Sequence, residues 1–469
     1  MQNPPRSSDY PDYPSSPSPR RRILFGILGS VLVLAAIVGT FMLLGRGRGS
    51  RLGAPTPMGA PVLVRTPTGD ALFLVTGQWE TQLVNMELSG TGLGRTDLHV
   101  DVWRFDPATM RPVWRRRVLT ERDGAMQGIA PLGAHGDVLW LFARQLLGVR
   151  LDDGRLVADA ASLERGNGDL RGLLPKESRW YAFDTAGVRM TLTDARVVHV
   201  HPEGLRAWEA RAGAPAPLPP VAWPASLVPA GTNSFRERGM SWPGRWLGVM
   251  TDAEGAAFAR GSLDSTGGPP RTDREYHERT RFGPPSLDGY APSRYRVWSA
   301  RVTKVSAAPP NWPANFPNNW GTRDEYSEVR PLPESAEFLQ AGLLTANLAR
   351  TGPDQPIFVR NPDGVLVLHR DRLGDEGRLR LARVNGPAGR TGWDAALPMS
   401  ALESVAPGEG TLVLLGTEKV QVKVRGSRER TEVADLLRLV SVDLATGAVR
   451  AYDMATESLQ QKAEPARPE

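Results

Sequence analysis

The sequence predicts an all-β fold: a β-propeller of about seven or eight four-stranded blades, preceded by one transmembrane α-helix. Three observations predict it. One apolar run near the N-terminus carries no charge, a series of short apolar strands is each entered through a glycine turn, and a strand–turn–strand pattern recurs farther along the chain.

The apolar run is Ile23 to Leu44, twenty-two residues bracketed by arginines. At 1.5 Å rise per residue such a helix spans about 33 Å, enough for a bilayer core of about 30 Å. It is longer than the apolar stretch of a cleaved signal peptide, and Gly45-Arg46-Gly47-Arg48-Gly49-Ser50-Arg51 follows it at once. The run divides the chain into a tail over 1–22, a membrane helix over 23–44, a linker over 45–60 and a large domain over 61–455. A second tail covers 456–469. Both tails have the Pro- and charge-rich, low-apolar composition of disordered chain.

The flanking arginines also account for the charge. The chain holds 57 basic and 51 acidic residues, and residues 1–51 take seven of the former against Asp9 and Asp12. The remainder holds 50 basic and 49 acidic residues, so no nucleic-acid partner is indicated. Arg6 and the triplet Arg20-Arg21-Arg22 precede the helix; Arg46, Arg48 and Arg51 follow it. The contiguous triplet favours a cytoplasmic N-terminus with the large domain exported, in a bacterial inner membrane with the domain in the periplasm. The chain has no cysteine, which rules out disulfides, cysteine-ligated zinc and a lipidated cysteine anchor. The bilayer is therefore the first expected partner, through Ile23 to Leu44.

Within the large domain, one pattern is a glycine turn followed by a strongly apolar strand. It occurs at Gly69-Asp-Ala-Leu-Phe-Leu-Val, Gly136-Asp-Val-Leu-Trp-Leu-Phe, Gly244-Arg-Trp-Leu-Gly-Val-Met, Gly364-Val-Leu-Val-Leu-His and Gly410-Thr-Leu-Val-Leu-Leu. Such runs suit inner strands buried on both faces. A second pattern, a hairpin with a polar turn, occurs over Val102–Trp114, Leu147–Val157, Leu381–Trp393 and Val440–Arg450. Its turn aspartates Asp106 and Asp153 stand 47 residues apart, the length of one four-stranded blade. The alternative architecture is an ordinary multi-sheet β domain. The stretch 210–231 reads as an irregular connection, and 260–330 as a longer irregular insertion.

The hairpin pattern resembles the repeat of pyrroloquinoline-quinone-type β-propellers, in which a strand, an Asp turn with Thr-Gly and a following Trp recur in each blade. Val440 to Arg450 keeps Asp443, Thr446 and Gly447 but lacks the tryptophan. The Asp106 copy keeps Thr109 and Trp114 and has Met110 where glycine is usual. The resemblance implies a propeller. It does not imply quinone chemistry, because the quinoprotein dehydrogenases of that superfamily commonly carry a vicinal cysteine disulfide that this chain cannot form.

Local catalytic signatures are missing: the sequence holds no Gly-x-Ser-x-Gly elbow, no His-Glu-x-x-His helix and no phosphate loop ending in Gly-Lys-Ser/Thr. Gly90, Gly92 and Gly94 lack dinucleotide-loop spacing. His199 and His201 alternate on an expected strand and so face one side, but no complete metal-ligand set accompanies them. Asp152-Asp153-Gly154 reads as a turn. No catalytic, cofactor-binding or metal-ligating residue is assigned, and no cofactor is expected. The candidate recognition loop is Asn311 to Gly321, where Trp312, Phe316 and Trp320 stand among prolines and asparagines. The expected function is a membrane-anchored envelope protein whose exported propeller is a non-enzymatic binding or assembly scaffold for a protein partner. The alternative is a membrane-bound enzyme, a quinoprotein-like oxidoreductase or a hydrolase, with a site assembled from several blades.

Overall fold

The computed structural model describes residues 50–66, 69–85, 93–184, 187–201, 205–209, 227–229, 239–242, 245–260, 294–306, 322–347, 356–361, 364–373, 377–386, 388–408, 410–423, 431–454 and 464–465. Met1–Arg51 with Thr81–Arg95 forms one compact unit, and Leu52–Glu80 with Thr96–Glu469 forms the other. The described part of the first unit is strand ends, and the cores described here belong to the second. Ile23 to Leu44 and the stretch 210–226 lie outside the described residues. Among the described residues no helix is long and apolar enough to cross a membrane.

The fold is all-β, built of antiparallel sheets with few helices. The first sheet runs through Val62–Thr66, Gly69–Asn85, Leu93–Asp106 and Arg111–Arg122. The second comprises Ala130–His135, Val138–Ala143, Gln145–Arg150 and Leu156–Ala158; the third comprises Tyr181–Asp184, Gly187–Thr191, Val197–Val200 and Ala207–Glu209. A fourth, wide sheet contains two successive four-strand runs. One is Gly239–Trp242, Arg245–Thr251, Arg294–Ser306 and Thr322–Pro331; the other is Phe338–Leu343, Gly364–Arg370, Leu379–Asn385 and Thr391–Ala396. The two runs join where Arg294 and Tyr295 pair with Leu339 and Phe338. The last sheet is Ala401–Pro407, Thr411–Lys423, Thr431–Asp443 and Val449–Asp453.

The five glycine-entered apolar runs are each the second strand of such a run. Strict side-chain alternation explains their burial, because each strand serves two cores at once. On Gly69–Asn85, Ala71, Phe73 and Val75 pack with Leu139 and Leu141 of the second sheet. Leu72 and Leu74, on the other face, pack with Val413, Leu415 and Leu439 of the last sheet. On Val138–Ala143, Trp140 and Phe142 turn instead toward Val188 and Val198 of the third sheet. On Gly364–Arg370, Val365 and Val367 pack with Leu247 and Val297, whereas Leu366 and Leu368 pack with Leu412 and Leu414. Each fully buried Leu, Val or Phe contributes about 1.5–3 kcal/mol relative to exposure, which selects the apolar side chains named here.

The stretch 260–330 is not wholly irregular: it supplies the long paired strands Arg294–Ser306 and Thr322–Pro331. Their exposed, charged outer positions gave them the polar composition of a loop. Glu464–Pro465, within the tail expected to be disordered, pairs parallel with Arg116 and Arg117.

The third and fourth strands of five runs are joined by one recurring turn. Asp106, Arg150, His201, Asn385 and Asp443 open it, and the residue four positions on has a left-handed backbone. These are Met110 (φ 56°), Gly154 (74°), Leu205 (50°), Gly389 (82°) and Gly447 (73°). In four of them that residue donates its N–H to the opening carbonyl, at 2.7 Å for Met110, 3.0 Å for Gly154, 2.9 Å for Gly389 and 2.8 Å for Gly447. Arg150, rather than Asp153, therefore holds the place of Asp106 and Asp443. Glycine suits this backbone because it has no Cβ to clash. Met110 departs from that rule, and its side chain is 1 % exposed in the core between the first and last sheets.

Candidate functional site

Three groupings of polar and aromatic side chains stand out from the apolar cores. The first lies on the first sheet, on the face of Gly69–Asn85 that begins with Leu72 and Leu74 and continues with Thr76 and Gln78. Alternation brings His99, Asp101 and Trp103 from the next strand to the same network, and Arg115 and Arg117 from the strand after it. Asp101 is fully buried and accepts from Arg115 Nε at 2.9 Å and from Arg117 Nε at 3.0 Å. Arg115 also donates to Gln78 Oε1 at 2.7 Å, and its guanidinium lies 4.3 Å from the Trp103 ring centroid. Trp103 Nε1 donates to Thr76 Oγ1 at 2.9 Å. His99 bridges Glu80, 2.7 Å away, and Thr120, 3.0 Å away. The Asp101 charge is thus matched by two guanidinium groups, which is how a buried carboxylate is tolerated. The network ties three neighbouring strands of the first sheet together.

The second grouping is His369, Asp394 and Arg380. Asp394 Oδ1 lies 3.1 Å from His369 Nε2 and accepts from Arg380 Nε at 3.0 Å. Burial pushes the Asp394 carboxyl up, but the hydrogen bond and charge of His369, followed by those of Arg380, hold it below the usual carboxylate range. Phe338 packs on the imidazole at 4.9 Å. The carboxylate here positions a histidine ring; no nucleophile stands in the grouping.

The third grouping reaches solvent. His199 pairs across the sheet with Trp208 of the edge strand Ala207–Glu209. Their rings stack at 5.4 Å with planes 19° apart. His201 leans on the same indole at 6.0 Å, and His135 of the second sheet meets His201 edge-on at 6.2 Å. Trp208 remains 40 % exposed despite these neighbours. Trp180, beside the first strand of the same sheet, is 45 % exposed with Arg179 over its ring. The rings stacked around Trp208 form a stiff aromatic surface, since a stacked indole loses little freedom when a partner covers it; Trp180 stands at the opposite edge of the sheet.

The alternation of His199 and His201 does bring both rings to one side, where they support an indole. Among the described residues no group of three or more His, Cys, Asp or Glu side chains is arranged to hold a metal ion. The loop with Trp312, Phe316 and Trp320 lies outside the described residues. Trp208 and His135 were missed by sequence reasoning. Trp208 is set opposite His199 by cross-strand register, which no local pattern in the sequence carries.

No protein-family model matches the chain, and no curated protein sequence matches it either.

Proposed function

We propose that the chain is a membrane-anchored scaffold whose antiparallel sheets form a β-propeller and whose surface binds a protein partner without chemistry. The observation that carries this reading is the shared core of the first and last sheets, in which Leu72, Leu74, Trp103 and Phe105 pack with Val413, Leu415, Leu439 and Tyr452. A ring in which the last sheet meets the first is rigid, and rigid rings present loops and edges for recognition. Six four-strand runs among the described residues favour six blades over the seven or eight expected from length.

Support for the pyrroloquinoline-quinone-type resemblance comes from the tryptophans. Trp114 donates Nε1–H to the Asp152 carbonyl at 2.9 Å, and a Cβ on Gly154 would stand 3.0 Å from its ring. Trp393 donates to the Leu444 carbonyl at 3.2 Å, and a Cβ on Gly447 would stand 2.7 Å from its ring. In both cases the tryptophan of one run locks onto the turn of the next. Attachment rests on Ile23 to Leu44, and the arginine bias supports an exported domain. The Trp208 surface and the Trp312, Phe316 and Trp320 loop are the contact candidates.

Crosslinking in intact membranes tests the reading. A partner crosslinked by the wild type and lost in Trp208→Ala or Trp312→Ala, at unchanged melting temperature, supports it. Recovery of the chain in the soluble fraction would contradict the anchor. Protection of the large domain from protease in spheroplasts would contradict export.

A further inference from the structure

The chain enters the first sheet from one end. In an antiparallel four-strand run, the connection between the second and third strands and the exit to the next run lie at one end, and the two remaining turns lie at the other. Thr56 and Pro57 pair antiparallel with Gly77 and Thr76, and the Gly53 N–H donates to the Trp79 carbonyl at 2.8 Å. Followed toward the N-terminus, this entry segment therefore runs away from the turn at Gly69 and toward the end that carries the exit loop over 123–128. Trp79 stands ten residues beyond Gly69 on its strand, about 33 Å of extended chain. Nine residues lead from Leu44 to Gly53 and reach at most about 32 Å. A tether of that length, starting at a bilayer, sets the entry end down on the membrane. Bringing the Gly69 end down instead would need the tether fully stretched back along the sheet.

The same end continues across the next two sheets. Met126 of the exit loop reaches back to Gly77, where a Cβ would stand 3.5 Å from its Cε. Arg144, at the turn between the second and third strands of the second sheet, donates to the Glu121 carboxylate at 2.8 Å and the Gln127 carbonyl at 3.0 Å. A Cβ on Gly128 would stand 4.0 Å from Ser178 Oγ. Trp180 follows, where the chain enters the third sheet, and Lys176 and Arg179 are exposed beside it. The Arg179 guanidinium lies 5.1 Å from the indole centroid and 2.8 Å from the Glu177 carboxylate, an exposed ion pair that exchanges readily for a phosphate. An indole with flanking cations suits a headgroup layer, the ring at the interface and the cations on phosphates. We propose that this end of the sheets rests on the phospholipid headgroups of the membrane that holds the chain, with Trp180 as the interfacial anchor. The proposal rests on the anchored reading of Ile23 to Leu44.

The chain has no native cysteine, so single-cysteine variants of the full chain report each end separately. Gln127→Cys and Lys176→Cys place a fluorophore at exposed positions of the entry end, and Ala108→Cys places one at the exposed far turn. Each labelled chain is reconstituted in vesicles of phosphatidylcholine and phosphatidylglycerol that contain a lipid with a nitroxide on its headgroup. The entry-end probes should be quenched at least about twofold more strongly than the Ala108→Cys probe, and Trp180→Ala should remove that excess. In chains that float with the vesicles, equal quenching at the two ends, or stronger quenching at Ala108→Cys, would overturn the proposal and leave the anchor standing. Undiminished entry-end quenching in Trp180→Ala would overturn the role of the indole. Failure of the full chain to float would overturn the anchored reading and this proposal with it.

Discussion

Two junctions between neighbouring sheets solve one problem by different means. Between the first and second sheets, Trp114 reaches from the fourth strand of one run to the turn of the next and donates to the Asp152 carbonyl. Between the second and third sheets the corresponding position is Ala158, and no ring is available. There the chain inserts the helix Ala160–Gly166, capped by Asp159 and Ser162 through reciprocal hydrogen bonds. The residue that ends this helix, Asn167, does the tryptophan's work. Its Nδ2 donates to the Leu205 carbonyl at 2.8 Å, and its Oδ1 accepts from Ala207 N–H at 2.8 Å. Leu163 and Leu170, fully buried, fill the volume an indole would have taken. The lock is therefore a hydrogen bond into the next turn plus apolar volume beneath it, and the residue type supplying them is free to vary.

This comparison can be broken by truncating each lock. Trp114→Ala removes a large buried ring and its hydrogen bond, with an expected loss of about 3–5 kcal/mol, read as a lowered midpoint in urea unfolding. Asn167→Ala leaves a part-buried carbonyl and a part-buried N–H without this partner, with an expected loss of about 1–3 kcal/mol. If Asn167→Ala were neutral, the second junction would have no lock of this kind.

Met110 sharpens the account of the turn itself. Its left-handed backbone costs about 1–3 kcal/mol for a residue with a Cβ, yet its buried side chain gains about 1.5–3 kcal/mol from leaving water, before packing losses are counted. Met110→Gly should therefore destabilise by about 1 kcal/mol rather than stabilise. A stabilised variant would show that backbone strain outweighs the core contact.

The smallest effect is expected at Asp394. Its lowered folded pKa makes ionisation stabilising, so this contribution is present above the ordinary carboxylate value of about 3.9 and fades as pH falls through the lower folded value. Thermal melts from pH 7 to pH 2 should show a shallower acid loss in Asp394→Asn than in the wild type. Equal acid slopes would remove the His369 and Arg380 contacts from the stability account.

Much of this architecture was legible because burial on two faces leaves a strong mark. Leu-Phe-Leu-Val after Gly69 and Val-Leu-Val-Leu after Gly364 have no room for charge, and each is a second strand. The corresponding strand of the third sheet, Gly187–Thr191, escaped the pattern because Arg189 sits exposed in its middle. Met110 looked like a loss of the repeat, and only packing shows why it is kept. The strands Arg294–Ser306 and Thr322–Pro331 were hidden by exposed charges, since a strand with wet positions has the composition of a loop. The His199 and His201 pair was visible through alternation alone. Its association with Trp208 depends on cross-strand register, which no local pattern carries.

The central claim is that the first and last sheets close on one another. Phe105 of the first and Tyr452 of the last meet edge to face with ring centroids 5.1 Å apart. A double-mutant cycle on Phe105→Ala and Tyr452→Ala tests that contact most directly. The account predicts a coupling of about 0.5–1.5 kcal/mol, the range for a packed aromatic pair. Additivity to within about 0.3 kcal/mol, as for distant sites, would contradict it.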